Sequence, residues 1–400
     1  MAAGTIPTLV VAGLASLFMA WSIGAGSSGS TPFAPAVGAN AISVIRAGFV
    51  VGLLGLAGAV LQGANVTEAV GRELVLGVAI SPVAAIVGLL IAAVLVAAGV
   101  FAGYPIATAF TVTGAMVGVG LAMGGDPAWA KYRQIAALWA LTPLAGGGAA
   151  YAIARALRSE AVAERRAVPV LGGLVGLLLA NVEFAALGPD GEAASLAATA
   201  AAALSPALGN PTVGRVVVSA LVAVAVGLVL YRDLVGSPEA SQRRFLLALG
   251  GLVAFSAGGS QVGLAIGPLL PVLDQTTLAP PLVLVLVGGG VGLLAGSWTG
   301  APRMIKALAQ DYSSLGPRRS IAALIPSFVI AQTAVHFGIP VSFNEIIVSA
   351  IVGSGYAAGT GSVSRAKMGY TVLAWVGSFA VAFGASYATY VAVTAVLGVG

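Results

Sequence analysis

Two stretches of this chain gather small hydroxyl and amide side chains among glycines. Ser27, Ser28, Ser30 and Thr31 lie in "SIGAGSSGSTPFAPAVGANAIS", residues 22–43, and Ser260 and Gln261 lie in "SAGGSQVGLAIGPLLP", residues 256–271. A second pair, "YPIATAFTVTG" from Tyr104 and "IPVSFNEIIVSA" from Ile339, adds Thr108, Thr111, Thr113, Ser342, Asn344 and Glu345. Hydroxyls, amides and free backbone N–H groups at half-helix N-termini form an uncharged anion cradle. A tetrahedral oxyanion, which needs many donors in a small volume, suits such a set. Ser27, Ser28, Ser30, Thr31, Ser260, Gln261, Thr108, Ser342 and Asn344 are therefore candidate substrate-binding residues. The competing explanations are close helix packing for Gly and Ser, and back-bonding to a helix carbonyl for Ser and Thr.

Glu345 differs in kind. It sits inside an apolar segment with no basic residue nearby in sequence. A carboxylate at membrane depth is expensive, so it must be protonated, paired or bound to a cation. That makes it the candidate for coupling to a proton or sodium ion; a carboxyl facing headgroups or a wet cleft is the alternative. Glu183, in "ANVEFAA", is a weaker candidate of the same type. Arg46 follows the first glycine-rich stretch and suits either an anion contact or an interfacial helix anchor. His336 reads as a helix-end residue and Asp274 as a loop marker. With one histidine and no cysteine, no His-cluster or thiolate metal site and no disulfide are expected. No nucleophile–base pair is visible, so neither an enzyme nor a bound cofactor is expected.

The elements that must position these residues occur twice. Pro105 and Pro340 lie 235 positions apart, and so do the two motifs around them. "PFAPAVG" at Phe33 returns as "AIGPLLP" at an offset of 233, while Lys131 and Trp139 return as Lys367 and Trp375 at an offset of 236. Duplication at constant spacing in an apolar chain marks a transporter built from two repeats, with its site between them.

The composition agrees. The chain has 400 residues, 59% hydrophobic and 8% charged, with mean hydropathy +1.03. Soluble domains carry about 25% charged residues. This is therefore an all-α integral membrane protein, with the lipid bilayer as its partner and multiple passes through the cell membrane. The net charge of +5 comes without Lys/Arg stripes or aromatic platforms, so nucleic acid is not a partner. Apolar stretches predict about 10–12 transmembrane helices, the first reading as a helix rather than a cleaved leader. The Gly/Ser/Pro stretches at 22–43 and 256–271 predict broken or re-entrant helices, tolerated only where buried or lining a cavity.

The loop 303–319 carries Arg303, Lys306, Arg318 and Arg319 against Asp311, whereas its counterpart "GANVTEAVGREL" carries Glu68, Arg72 and Glu73. Positive charge favours the cytoplasm, which puts the equivalent loops on opposite sides and makes the repeats inverted. The expected organisation is a first repeat over 1–157, a connecting region over 158–244 with two extra helices near 168–188 and 213–231, and a second repeat over 245–400. The stretch 189–211 reads as a loop or a poorly apolar helix.

These motifs resemble the inorganic phosphate transporter (PiT) family, whose relatives include sulfate permeases. Its repeats open with a "GANDVANAFGTSVGS"-like segment and later carry "LPVSTTHALVGAIVGVGLA". Here "STPFAPAVGANAISVIRAG", "AGGSQVGLAIGPLLPVL", "LQGANVTEAV" and the two proline motifs resemble those signatures, over roughly 15–150 and 245–398. The resemblance implies inverted repeats, a homodimer, and uptake of inorganic phosphate or a similar oxyanion by alternating access. The chain departs from it at the signature Asn-Asp, which falls on Ser27-Ser28 and Ser260-Gln261. In the family those aspartates bind sodium, so their loss leaves the coupling ion open and gives Glu345 the remaining carboxylate. A transporter of another oxyanion such as sulfate, and an uncoupled anion channel or sensor, are the alternatives.

Overall fold

Apolar stretches of about 20 residues, punctuated by Gly and Pro, fold into helices that satisfy their own backbone, the condition for crossing lipid. The computed structural model describes all residues except 1–5, 161–162, 186, 188–192, 209, 277–279, 360–362 and 399–400. Helix α1 (Ile6–Ile23) runs into a π-helical turn (Gly24–Ser28) and, after a short bend, α2 (Ala34–Gly38). Then come α3 (Val44–Gln62), α4 (Ala64–Arg72), α5 (Pro82–Ala102), α6 (Thr108–Ala122) and α7 (Trp129–Arg158). A central group follows: α8 (Glu164–Asn181), α9 (Leu196–Leu208) and α10 (Pro211–Gly236). The second half repeats the succession. It has α11 (Pro238–Ile266), a 3-10 turn (Gly267–Leu269), α12 (Leu270–Asp274), α13 (Leu282–Thr299), α14 (Ala301–Gln310), α15 (Pro317–His336), α16 (Phe343–Tyr356) and α17 (Arg365–Leu397). In each half a broken helix precedes a span, a short amphipathic helix (α4, α14), a further long helix (α5, α15), a short buried helix (α6, α16) and a long last helix.

Eight helices among the described residues are long and apolar enough to cross a membrane. Large apolar side chains such as Leu144, Val216 and Leu373 point outward, as lipid-facing residues do. The strands are vestigial: β1 (Val75–Leu76) pairs antiparallel with β2 (Asp126–Pro127), and β3 (Glu183–Phe184) with β4 (Ala194–Ser195). Ser81, Asn210 and Ser364 cap α5, α10 and α17 by accepting from Ala84, Thr212 and Lys367 N–H groups.

One expectation changes. The first glycine-rich stretch breaks as anticipated, but the second stays helical through Ser260 and Gln261 to Ile266. The break waits for Gly267-Pro268, where proline removes a backbone donor. The stretch 189–211 contains α9 from Leu196 to Leu208; residues 189–192 and 209 lie outside the described set.

Lipid tails are as apolar as leucine, so helices here associate by close van der Waals approach, which small residues permit. Helices α3 and α11 meet at Gly55, Gly58 and Gly258: a Cβ on Gly258 would strike the Gly55 carbonyl, and one on Gly58 the Phe255 carbonyl. A Cβ on Gly55, by contrast, would meet open space. Overpacking of this kind costs about 1–3 kcal/mol. Gly258→Ala is thus expected to lower the unfolding midpoint in detergent by several degrees, with Gly55→Ala unchanged; equal midpoints for the two variants would refute close α3–α11 contact.

Candidate functional site

Helices α6 and α16 begin in the protein interior because extended runs precede them. Gly103 and Gly338 adopt left-handed backbone (φ 72° and 58°), which reverses the chain after α5 and α15. Pro105 and Pro340 disfavour helix at the residue before each, and the chain stays non-helical through the extended N-caps Ala107 and Ser342 until Thr108 and Phe343 start the helices. The starts of α6 and α16 are hydrogen-bonded to the π-helical turn of the first half, and Gln261 of α11 joins Thr108 to Val341. All nine candidate substrate-binding residues and Glu345 are buried, and Glu345 is the only carboxyl among the described buried residues.

Two amides knit the meeting point together. Gln261 Oε1 accepts from Thr108 Oγ1 (2.7 Å) and Ser27 Oγ (3.2 Å), while its Nε2 donates to the Val341 carbonyl (2.6 Å). Asn344 Nδ2 donates to the carbonyls of Gly26 (2.9 Å) and Ile106 (2.6 Å). Ile106 and Val341 are the two residues 235 positions apart that lead into α6 and α16. Their carbonyls, freed by the extended runs, therefore take side-chain donors in place of helical ones. Ser30 and Thr31 serve the turn itself: both hydroxyls donate to the Ser27 carbonyl (3.1 and 3.0 Å). Thr111 donates to Ala107 within its own helix.

After these bonds, five buried polar atoms at the junction have no protein partner: Ser28 Oγ, Ser260 Oγ, Ser342 Oγ, Asn344 Oδ1 and Glu345 Oε2. Folded proteins pair the large majority of such atoms. A group of orphans on three segments that the amide bonds draw together is what a polar ligand would satisfy.

The remaining charges lie at the two ends of the bundle. Arg72 on α4 bridges Glu68 and Asp274, the latter at 2.6 Å, and the hydrogen bond to Asp274 holds its pKa above the ordinary arginine value. His336 ends α15 and faces Glu183 (3.3 Å), both well exposed, so neither joins the buried cluster. Arg46 is exposed on the first turn of α3. Asp274 is the last residue of α12 rather than part of a loop.

Sequence reasoning used Trp139 and Trp375 only as landmarks. The structure puts them against the site: Trp139 Nε1 donates to the Pro340 carbonyl (3.0 Å) and Trp375 Nε1 to the Pro105 carbonyl (2.8 Å). Their offset of 236, one more than that of the prolines, was the signal, but only the fold shows that each reaches the other half's turn.

Comparison with known proteins agrees with this architecture. The chain is 25% identical over 415 residues to the chloroplastic inorganic phosphate transporter 2-1 of Arabidopsis thaliana, covering 91% of this chain and 68% of that one. Its fold matches a solved structure described as the sodium-dependent phosphate transporter, with a TM-score of 0.80 at 21% identity, over 98% of this chain and 100% of the other. The model of the phosphate transporter family matches residues 23–386, so this multi-pass membrane protein belongs to the phosphate transporter family.

Proposed function

We propose that this chain is a secondary transporter that moves inorganic phosphate across the membrane by alternating access between inverted repeats, with a proton or sodium ion coupled through Glu345. The observation that carries this reading is the set of unpartnered buried atoms where the two halves meet. Ser28, Ser260 and Ser342 offer hydroxyl donors, and the Asn344 carbonyl and Glu345 carboxyl offer acceptors for the protons that phosphate retains. Ser27, Thr108 and Gln261 hold the cradle's shape, and Ser30 and Thr31 hold the turn that presents Ser28.

Coupling follows from electrostatics. Glu345 is one residue from Asn344 on α16, without a salt-bridge partner among the described residues. An ionised carboxylate beside a bound anion in a low-dielectric interior is strongly repulsive. A proton or sodium ion on Glu345 removes that repulsion, so the anion and the cation bind together. Uncharged donors can release the anion again on the other side, which a buried arginine clamp would resist.

Uptake of labelled phosphate into proteoliposomes, with and without inward sodium and proton gradients and with sulfate as competitor, tests this reading. Accumulation above the external concentration that sulfate does not block is the expected outcome. Passive equilibration alone would indicate a channel, and sulfate inhibition a different oxyanion. Glu345→Gln, which is always neutral, is expected to leave phosphate uptake without dependence on either gradient. An unchanged gradient dependence in that variant would remove Glu345 from the coupling role.

Gln261→Leu leaves the Val341 carbonyl unpaired and the Ser27 and Thr108 hydroxyls only their long mutual bond (3.5 Å), an orphan of this kind costing about 1–3 kcal/mol. It is expected to reduce uptake at least about ten-fold and to lower the unfolding midpoint. Thr111→Val, which removes only a bond within α6, should do neither; the comparison of the two midpoints decides it.

A further inference from the structure

The two ends of the molecule carry the same four-part assembly, built once from each half. At one end, Lys131 on α7 pairs with Glu73 (2.7 Å) and donates to the Gly338 carbonyl (3.2 Å). Eight residues along the same helix, Trp139 holds the Pro340 carbonyl, and Val75 pairs with Pro127 in the two-residue ladder beside them. At the other end, Lys367 on α17 pairs with Asp311 (3.3 Å) and lies 4.3 Å from the centre of the Tyr104 ring. Trp375 holds the Pro105 carbonyl, and Ser313 forms an isolated bridge with Val363. Lysine, acid, tryptophan and bridge partners all correspond between the assemblies at offsets of 236 to 238.

Each assembly crosses between halves. Helix α7 of the first half grips the Gly338–Pro340 turn of the second, and α17 of the second grips the Gly103–Pro105 turn of the first. Those turns lead directly into the site residues Ser342–Asn344 and Thr108. The ends are separated by the length of α5, which starts near β1 and finishes at the Gly103 turn; its 21 residues span about 30 Å. The site therefore lies between two matched closures.

The parts of each closure differ in strength. Trp375 and Pro105 meet in the buried interior, whereas Glu73 and Asp311 are about half exposed. Exposed ion pairs are individually weak, and buried hydrogen bonds are not. Opening an end then breaks the lysine pair at the rim while the tryptophan bond, made by a residue eight positions further along the same helix, serves as the pivot.

We propose that Lys131–Glu73 and Lys367–Asp311 are the two gates of the transporter, the first closing the central site toward one face of the membrane and the second toward the opposite face. The proposal rests on the alternating-access reading above, and it assigns that cycle its two latches. Both lysines are positioning residues: they reach the site through the turns they hold.

The chain contains no cysteine, so one introduced thiol is the only thiol. Ser28→Cys places it in the buried cluster as a reporter. Labelling by a membrane-impermeant maleimide is followed separately from each face of oriented vesicles, with and without phosphate and a sodium or proton gradient. Lys131→Gln is expected to raise labelling about five-fold from the Glu73 face and to lower it from the other; Lys367→Gln should give the mirror image. Lys→Arg at either position should restore the parent rates. Glu73→Gln and Asp311→Asn break the same pairs from the partner side, and give the same two patterns if a lysine variant fails to fold. Labelling that rises from the same face in both lysine variants, or stays within about two-fold of the parent in both, overturns the gates. A parent reporter reached from one face only under every condition overturns alternating access itself.

Discussion

The structure depends on one constraint: in a bilayer, a carbonyl released from a helix has no water to turn to. Every feature at the centre follows from meeting that demand without closing the site. The extended runs before α6 and α16 free the carbonyls of Pro105, Ile106, Pro340 and Val341, and four side chains answer them. Asn344 and Gln261 take Ile106 and Val341, and the indoles of Trp375 and Trp139 take Pro105 and Pro340. Each answering donor fixes a turn against a different helix, so satisfying the backbone also assembles the cluster. Irregular backbone at membrane depth survives only under these terms.

Much of this was legible in the residues. Composition alone demanded a membrane protein, and the duplicated proline motifs marked where the two interior helices start. The orphaned atoms of Ser28, Ser260, Ser342, Asn344 and Glu345 all fall on residues whose types had suggested an anion or a coupling charge. What stayed hidden was pairing across the halves. Nothing in the sequence near Trp139 says that its indole reaches Pro340, because that contact exists only once the second half packs against the first. The persistence of α11 through Gly258-Gly259-Ser260 was hidden for a related reason. Glycine is a poor helix former in isolation, but Gly258 and Gly259 here face α3 at backbone contact, and tertiary packing overrides propensity.

The halves are alike in architecture and unlike at the site. At the offsets that align the repeats, Gln261 corresponds to Ser28 and Asn344 to Ala109. Both bridging amides thus come from the second half, and the first half answers with small side chains and exposed carbonyls. A site with two equal amides would crowd the junction; one set of amides against one set of small residues leaves Ser28 and Ser260 free. Glu345 is likewise unmatched, since Phe110 occupies its place in the first half and stacks on Trp139. The shared frame supplies two equivalent turns, while the asymmetric lining supplies both bridging amides and the one buried carboxyl. A single carboxyl thus stands in an otherwise neutral buried cluster, and the asymmetry of charge is written into the side chains where the two halves differ rather than into the fold that they share.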